Sequence, residues 1–187
     1  MRHGETTGDI EQRFGGDYDD SLTAKGKHQA QKRAKTFKHL GIRAVISSPR
    51  KRAQESAKLV AKALGMPYHV VNNWKERNFY GPLTGMTRAD AQAKHPELVK
   101  LVTSHMSKLP QSEGYDTFKK RILEVFSKTQ AMNNDPVVIV THGGPITCIA
   151  RELLGKEVKV HDCGFLKLSV DATGVKLEAM ESVEFKK

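Results

Sequence analysis

The sequence has little of what would make it a membrane, disulfide-built or fibrous protein. Its apolar runs are short, Val137-Val138-Ile139-Val140 being among the longest, against the roughly 18–20 residues of a membrane-spanning helix. Charge begins at Arg2 with no apolar segment behind it, so no secretory leader is expected. The only two cysteines, Cys148 and Cys163, form no CxxC or metal-ligand spacing and read as reduced packing residues. His28, His39, His69, His95, His105 and His161 fall in no HxH or HExxH pattern, and no metal role is assigned to them. Repeats, low-complexity tracts and interdomain linkers are absent from the sequence. These absences leave a soluble chain, expected in the cytoplasm, with no membrane partner and no resident metal.

Its 187 residues, 38% apolar and 28% charged, have the composition of a globular protein and the length of a single domain spanning 1–187, since one core usually serves about 100–200 residues. The net charge is 31 − 21 = +10. Residues 25–62 carry 12 Lys/Arg and the single acid Glu55, a net of +11, and the remainder 19 basic and 20 acidic residues, a net of −1. Such a block suits a polyanion, but it lacks the interleaved aromatics of a nucleic-acid groove. It reads as a solvated face that steers phosphorylated small molecules, and no nucleic acid is expected.

Helical and strand patterns alternate. Periodicity predicts helices over 24–40, 51–64 and 115–131, with a broken one over 87–105 interrupted by Pro96. Gly41 and Gly65 serve as stops. Short β-branched runs predict strands at 44–46, 68–71 and 137–141, and Pro145 is expected to open a helix ending at Leu154. The tail predicts a hairpin of 165–170 and 175–185. Strands alternating with helices imply an α/β fold, a three-layer α/β/α sandwich with a mainly parallel central sheet. Residues 72–90 are the longest irregular stretch, and a loop of that length tends to be functional.

Chemistry concentrates in four segments: Arg2-His3-Gly4-Glu5-Thr6, Ser47-Ser48-Pro49-Arg50-Lys51-Arg52-Ala53, Glu76 to Gly81, and Thr141-His142-Gly143-Gly144. The second and fourth lie where a strand passes into a helix, the end at which open α/β sheets bind ligands. A helix start with glycines offers backbone N–H groups to an anion. Brought together, these ends would supply two histidines, two or more arginines and a carboxylate. Guanidinium forks match phosphate oxygens, a neutral imidazole is a nucleophile near pH 7, and a carboxyl group can protonate a leaving alkoxide and then deprotonate water.

Arg2-His3-Gly4-Glu5-Thr6 resembles the RHG signature of the histidine phosphatase superfamily, in its phosphoglycerate-mutase-like branch. The resemblance continues in order through Arg13-Phe14-Gly15-Gly16, Leu22-Thr23-Ala24-Lys25-Gly26, Ser47-Ser48-Pro49 to Arg52-Ala53, Glu76 to Gly85, and Thr141 to Gly144. It implies His3 as the nucleophile that becomes phosphohistidine, and Glu76 as general acid and base with Glu113 as the second candidate. It implies Arg2, Arg52 and His142 around the phosphoryl oxygens, with Gly143 at the helix start. Arg13, Tyr80 and Arg88 are implied on the substrate side. It also implies an apolar first strand ending in RHG, of which only Met1 precedes Arg2 here, so the first strand reads as truncated and its neighbours as short of ladder partners.

The resemblance leaves two enzymes open. The stretch from Glu76 to Gly85 looks like the mutase pattern, and Arg88 falls where mutases carry a substrate-binding lysine. Against this, Thr103-Ser104 stand where mutases carry an arginine pair, Gly144 replaces an asparagine, Gly15 replaces a Ser/Thr, and the mutase insertion between Leu101 and Glu113 is missing. The expectation is a metal-independent phosphatase of small phosphate monoesters with no cofactor. The alternatives are a phosphoglycerate mutase using 2,3-bisphosphoglycerate, or a non-catalytic polyanion- or nucleic-acid-binding module built on 25–62. Asp9 stands where the family carries asparagine, and a carboxylate beside a phosphate pocket must be paired or turned away.

Overall fold

The computed structural model describes residues 1–132 and 135–186. Three short strands, β1 (Ala44–Ser47), β2 (Tyr68–Val70) and β3 (Val137–Val140), form a parallel sheet in the order β2-β1-β3. Alternation along the pleat sends their side chains to two faces. Val45, Val138 and Val140 bury against helices α2 (Ala24–Phe37) and α3 (Lys51–Leu64), where Ala30, Ala34, Phe37, Ala57 and Val60 close the layer. Ile46, Val137 and Ile139 face the other way, onto Phe118, Ile122 and Val125 of α6 (Tyr115–Gln130) and Cys148 and Ile149 of α7 (Gly143–Leu154). The expected three-layer α/β/α arrangement with a parallel central sheet is therefore present.

Between these lie α1 (Thr7–Ile10), α4 (Arg88–Lys94) and α5 (Pro96–Leu101). Pro96 starts α5 rather than kinking one long helix. The predicted helix over 24–40 ends at Phe37, because residues 38–40 tighten into i→i+3 turns before Gly41 at φ +64°. Gly65 ends α3 in the left-handed conformation as expected. The irregular stretch 72–90 contains two 3₁₀ turns and the first residues of α4. Both cysteines are buried and unpaired. Among the described residues no helix is long and apolar enough to cross a membrane.

The tail forms an antiparallel hairpin of β4 (Val158–Asp171) and β5 (Gly174–Phe185). Strand β4 starts seven residues before the sequence suggests, because a bulge between Val160 and Phe165, with Cys163 at φ +53°, breaks the alternation that marks a strand. That bulge receives the chain start. Arg2 N–H donates to Gly164 O at 2.8 Å, Cys163 N–H to His3 O at 3.1 Å, and His3 N–H to Thr141 O at 3.0 Å. Met1–His3 thus sits between the end of β3 and β4, bridged in parallel to Thr141.

Behind Met1, among the described residues, no strand lies between β3 and β4. A cavity of about 500 Å³ runs there, walled by Met1, Phe37, Trp74, Ile139, Phe165 and Leu168. The Met1 amine donates to Ile139 O at its inner end, and burial pulls that amine down to about 5. Its walls are mostly apolar side chains. Four or five β-branched apolar residues added before Met1 are expected to raise Tm by about 5 °C or more, as burial of their side chains outweighs their ordering. Differential scanning calorimetry on the extended chain checks this, and an unchanged Tm contradicts it.

Candidate active site

The site is assembled where Met1–His3, the β1–α3 turn, the segment 74–81 and the β3–α7 turn meet. His3 is 5% exposed. Its Nδ1 lies 2.8 Å from Gly4 O, an acceptor only, so Nδ1 carries the proton and Nε2 keeps its lone pair. Arg52 Nε–H donates to that lone pair at 3.1 Å. Gly4 is required by packing: a Cβ there would stand 2.3 Å from Gly26 O in the first turn of α2. Burial first, then the Arg52 and Arg2 charges, hold His3 well below the ordinary imidazole value.

His142 is fully buried at the N-cap of α7, its ring edge-on to His3 with centroids 5.2 Å apart. Its Nε2 pairs with Ser48 Oγ at 2.7 Å. Its Nδ1 is buried with no protein partner. With the Ser48 hydroxyl donating to Nε2, Nδ1–H becomes an unsatisfied donor on a ring edge-on to His3. Burial, then Arg52 and His3, keep this ring neutral as well.

Arg52 is 4% exposed. Its Nη1 donates to Tyr18 O at 2.6 Å and Asp20 Oδ1 at 2.9 Å, and its Nη2 to Gly16 O at 2.8 Å. Arg2 donates through Nη1 to Val160 O at 3.0 Å, and its Nη2 stands 3.4 Å from both Asp9 and Asp162. Asp9 is thereby paired. Its other oxygen accepts from Thr6 N–H and Thr6 Oγ, closing the capping box of α1. Gly143 opens α7, and a Cβ on it would meet nothing within 4 Å.

Glu76 reaches the same helix start. Its Oε2 accepts Gly144 N–H at 3.0 Å and its Oε1 accepts Arg77 N–H at 2.8 Å. A Cβ on Gly144 would stand 2.1 Å from Oε1, so this approach needs glycine there. Thr141 Oγ tethers the segment through Trp74 O at 2.6 Å. Arg77, stacked on Phe79, holds it to Glu113 O and His105 O. The Glu113 carboxylate forks onto Arg121 at 2.9 and 2.7 Å and is not among the groups gathered around His3.

The substrate-side candidates are more dispersed. Tyr80 packs edge-on to Phe14 and Phe79, with its hydroxyl within the influence of Arg88 and Glu76. Arg88 lies over Phe14 at 4.6 Å. Arg13 is held by Glu11 and by Gly85 O. Asp20, Asp162 and the hydroxyl of Ser48 carry no local signal in the sequence, because their partners lie far along the chain, and Gly144 is marked there only as a departure from the mutase pattern. Among the described residues, no His/Cys/Asp/Glu group could hold a metal ion.

Chemically, the cluster offers a neutral imidazole whose Nε2 lone pair meets a guanidinium, a second guanidinium and an unpaired imidazole donor, and a carboxylate at a helix start. A family model described as the histidine phosphatase superfamily, branch 1, matches residues 1–182. A Bacillus subtilis protein named an uncharacterized phosphatase, PhoE, is 29% identical over 156 residues, covering 83% of this chain and 76% of its own. An Escherichia coli protein named a probable phosphoglycerate mutase, GpmB, is 27% identical over 157 residues, covering 83% and 73%. In fold, the alpha-ribazole phosphatase of Shigella flexneri superposes with a TM-score of 0.83 over 96% of this chain and 93% of its own, at 21% identity.

The two buried imidazoles carry a stability consequence. The unfolded chain protonates both near 6.5, whereas the folded chain holds both values lower. Their contribution is full above 6.5 and is lost as pH falls below it. Tm is expected to fall on acidification from about pH 7 to about pH 5, and His142→Gln to flatten that fall. Melting curves across the range check it; a Tm that rises on acidification contradicts it.

Proposed function

The chain belongs to the histidine phosphatase superfamily, branch 1, and on that premise we propose that it is a metal-independent phosphatase hydrolysing small phosphate monoesters through a phosphohistidine on His3. The observation that carries this reading is the His3–Arg52 contact. A neutral imidazole with Nδ1–H on Gly4 O directs its Nε2 lone pair at the guanidinium that would hold the phosphoryl oxygens. In the first step Nε2 bonds to phosphorus while the ester P–O bond breaks. Glu76, protonated, gives its proton to the leaving alkoxide. In the second step Glu76 takes a proton from water, whose oxygen bonds to phosphorus as the P–Nε2 bond breaks, and inorganic phosphate leaves. Arg2, Arg52, His142 Nδ1–H and the Gly143 amide stabilise the charge on the transferring group.

The pairing of cations that neighbour the site's segments in sequence favours the phosphatase over the mutase. Asp17 lies against both Arg50 and Lys75, and Arg13 against Glu11. A mutase must hold a second anion while its phosphoryl group returns, and these paired cations give it little grip. The name of the GpmB relative keeps the mutase as the second reading, with 2,3-bisphosphoglycerate its cofactor in that case alone. The substrate is read as a small cytoplasmic phosphate ester, with neither nucleic acid nor membrane as partner.

With chelator present, the chain is expected to hydrolyse p-nitrophenyl phosphate. His3→Ala should lose both this activity and an acid-labile phosphoenzyme trapped by rapid quench, while Arg52→Ala should lose about 10²–10³ in rate. Glu76→Gln should slow alkyl phosphates more than p-nitrophenyl phosphate, whose phenolate leaves without a proton. Equal rates for wild type and His3→Ala refute the assignment. Isomerisation of phosphoglycerate that needs bisphosphoglycerate would install the mutase instead.

A further inference from the structure

Residues 16–20 lie over the outer side of Arg52 and supply three of its acceptors, Gly16 O, Tyr18 O and Asp20 Oδ1. The ion pair is almost fully removed from water, with the Arg52 and Asp20 side chains 5% and 7% exposed. Asp20 is itself held in place. Its Oδ2 accepts from the Tyr18 hydroxyl at 3.2 Å, burial and the Asp20 charge push that phenol up to about 12, and the Tyr18 ring lies 5.5 Å from the guanidinium carbon. Of the five N–H groups a guanidinium carries, Nε is spent on His3, both of Nη1 and one of Nη2 on residues 16–20. One Nη2 proton remains for a ligand.

We propose that Asp20 is the positioning residue of the phosphoryl site: it clamps the outer edge of the Arg52 guanidinium, so that Nε faces the His3 nucleophilic nitrogen and the guanidinium turns toward a phosphoryl group without leaving the clamp. The inference rests on the phosphatase reading for its rate consequences, and on geometry alone for the coupling of Asp20 to His3. The clamp keeps Arg52 fixed at its outer nitrogens, and arrival of a phosphoryl oxygen needs only to draw Nε–H off the His3 lone pair, exposing Nε2 as the substrate is seated. The carboxylate also offsets a buried positive charge one hydrogen bond from His3, and thereby limits how far that charge disfavours the imidazolium. The other charged or titratable groups facing His3 are Arg2 and His142, with Arg50 and Glu76 beyond His142.

Asp20→Asn keeps the shape of the clamp and removes its charge; Asp20→Glu keeps the charge. With p-nitrophenyl phosphate, Asp20→Asn is expected to lower kcat by about tenfold or more with KM changed by less than about threefold. The acid limb of its kcat/KM profile moves to lower pH, as Arg52 is left uncompensated. Asp20→Glu is expected to restore the limb. In parallel, the His3 ring titration followed by ¹⁵N NMR, which needs no turnover, should move the same way in Asp20→Asn. A fall in rate and Tm with neither the limb nor the titration moved would make Asp20 merely structural and overturn the proposal, as would unchanged kcat. If no variant, wild type included, turns over substrate, the phosphatase reading fails; the His3 titration then decides the Asp20 coupling by itself.

Discussion

A buried hydrogen bond between a guanidinium and a neutral imidazole organises this molecule. Arg52 Nε and His3 Nε2 are 3.1 Å apart, and both residues are about 95% removed from water. A charge so placed is costly unless every donor is met. The chain meets four of the guanidinium's five N–H groups with acceptors from two places: His3 at its start, and Gly16, Tyr18 and Asp20 in the following loop. The same contact forbids a charged His3, which must remain neutral to accept from Arg52. Local packing serves this pair. Gly4 and Gly26 let the segment that carries His3 press against α2, and the β4 bulge turns Cys163 and Gly164 toward the first three residues.

The surplus of positive charge takes on a different meaning in three dimensions. Arg33, Arg50 and Arg52 of the basic segment find acids from outside it, namely Glu181, Asp17 and Asp20. Arg2 has Asp9 and Asp162. Among the described residues, what stays without an ion pair lies largely on the exposed face of the helical layer of α2 and α3, where Lys27, Lys32, Lys35, Lys51, Lys58 and Lys62 are exposed. That face can raise the local concentration of an anionic ester without gripping it.

Much of the layout was legible because the signals were local. Val137 to Val140 is continuous and β-branched, and α3 ends at a glycine suited to the left-handed cap. The convergence of His3, Arg52, Glu76 and His142 followed from the order of motifs and from the rule that ligands sit past the carboxyl ends of parallel strands. The first half of β4 was hidden by its bulge, and α1 by being one turn long. The partners that hold the site were illegible for a common reason. Asp20 meets Arg52 across 32 residues, Ser48 meets His142 across 94, and Gly144 meets Glu76 across 68. Nothing in a local pattern encodes such pairings. Asp9, the residue that looked most discordant, is reconciled by a contact with Arg2 seven residues away and a cap that a one-turn helix supplies.

The His3–Arg52 contact therefore depends on the protonation state and tautomer of one ring. ¹⁵N NMR of histidine-labelled protein at about pH 7, with His3→Gln to assign the signal, reads both directly. His3 is expected to be neutral, its proton on Nδ1 bonded to Gly4 O and its Nε2 unprotonated and accepting from Arg52. An imidazolium at that pH, or a neutral ring with its proton on Nε2, would contradict it.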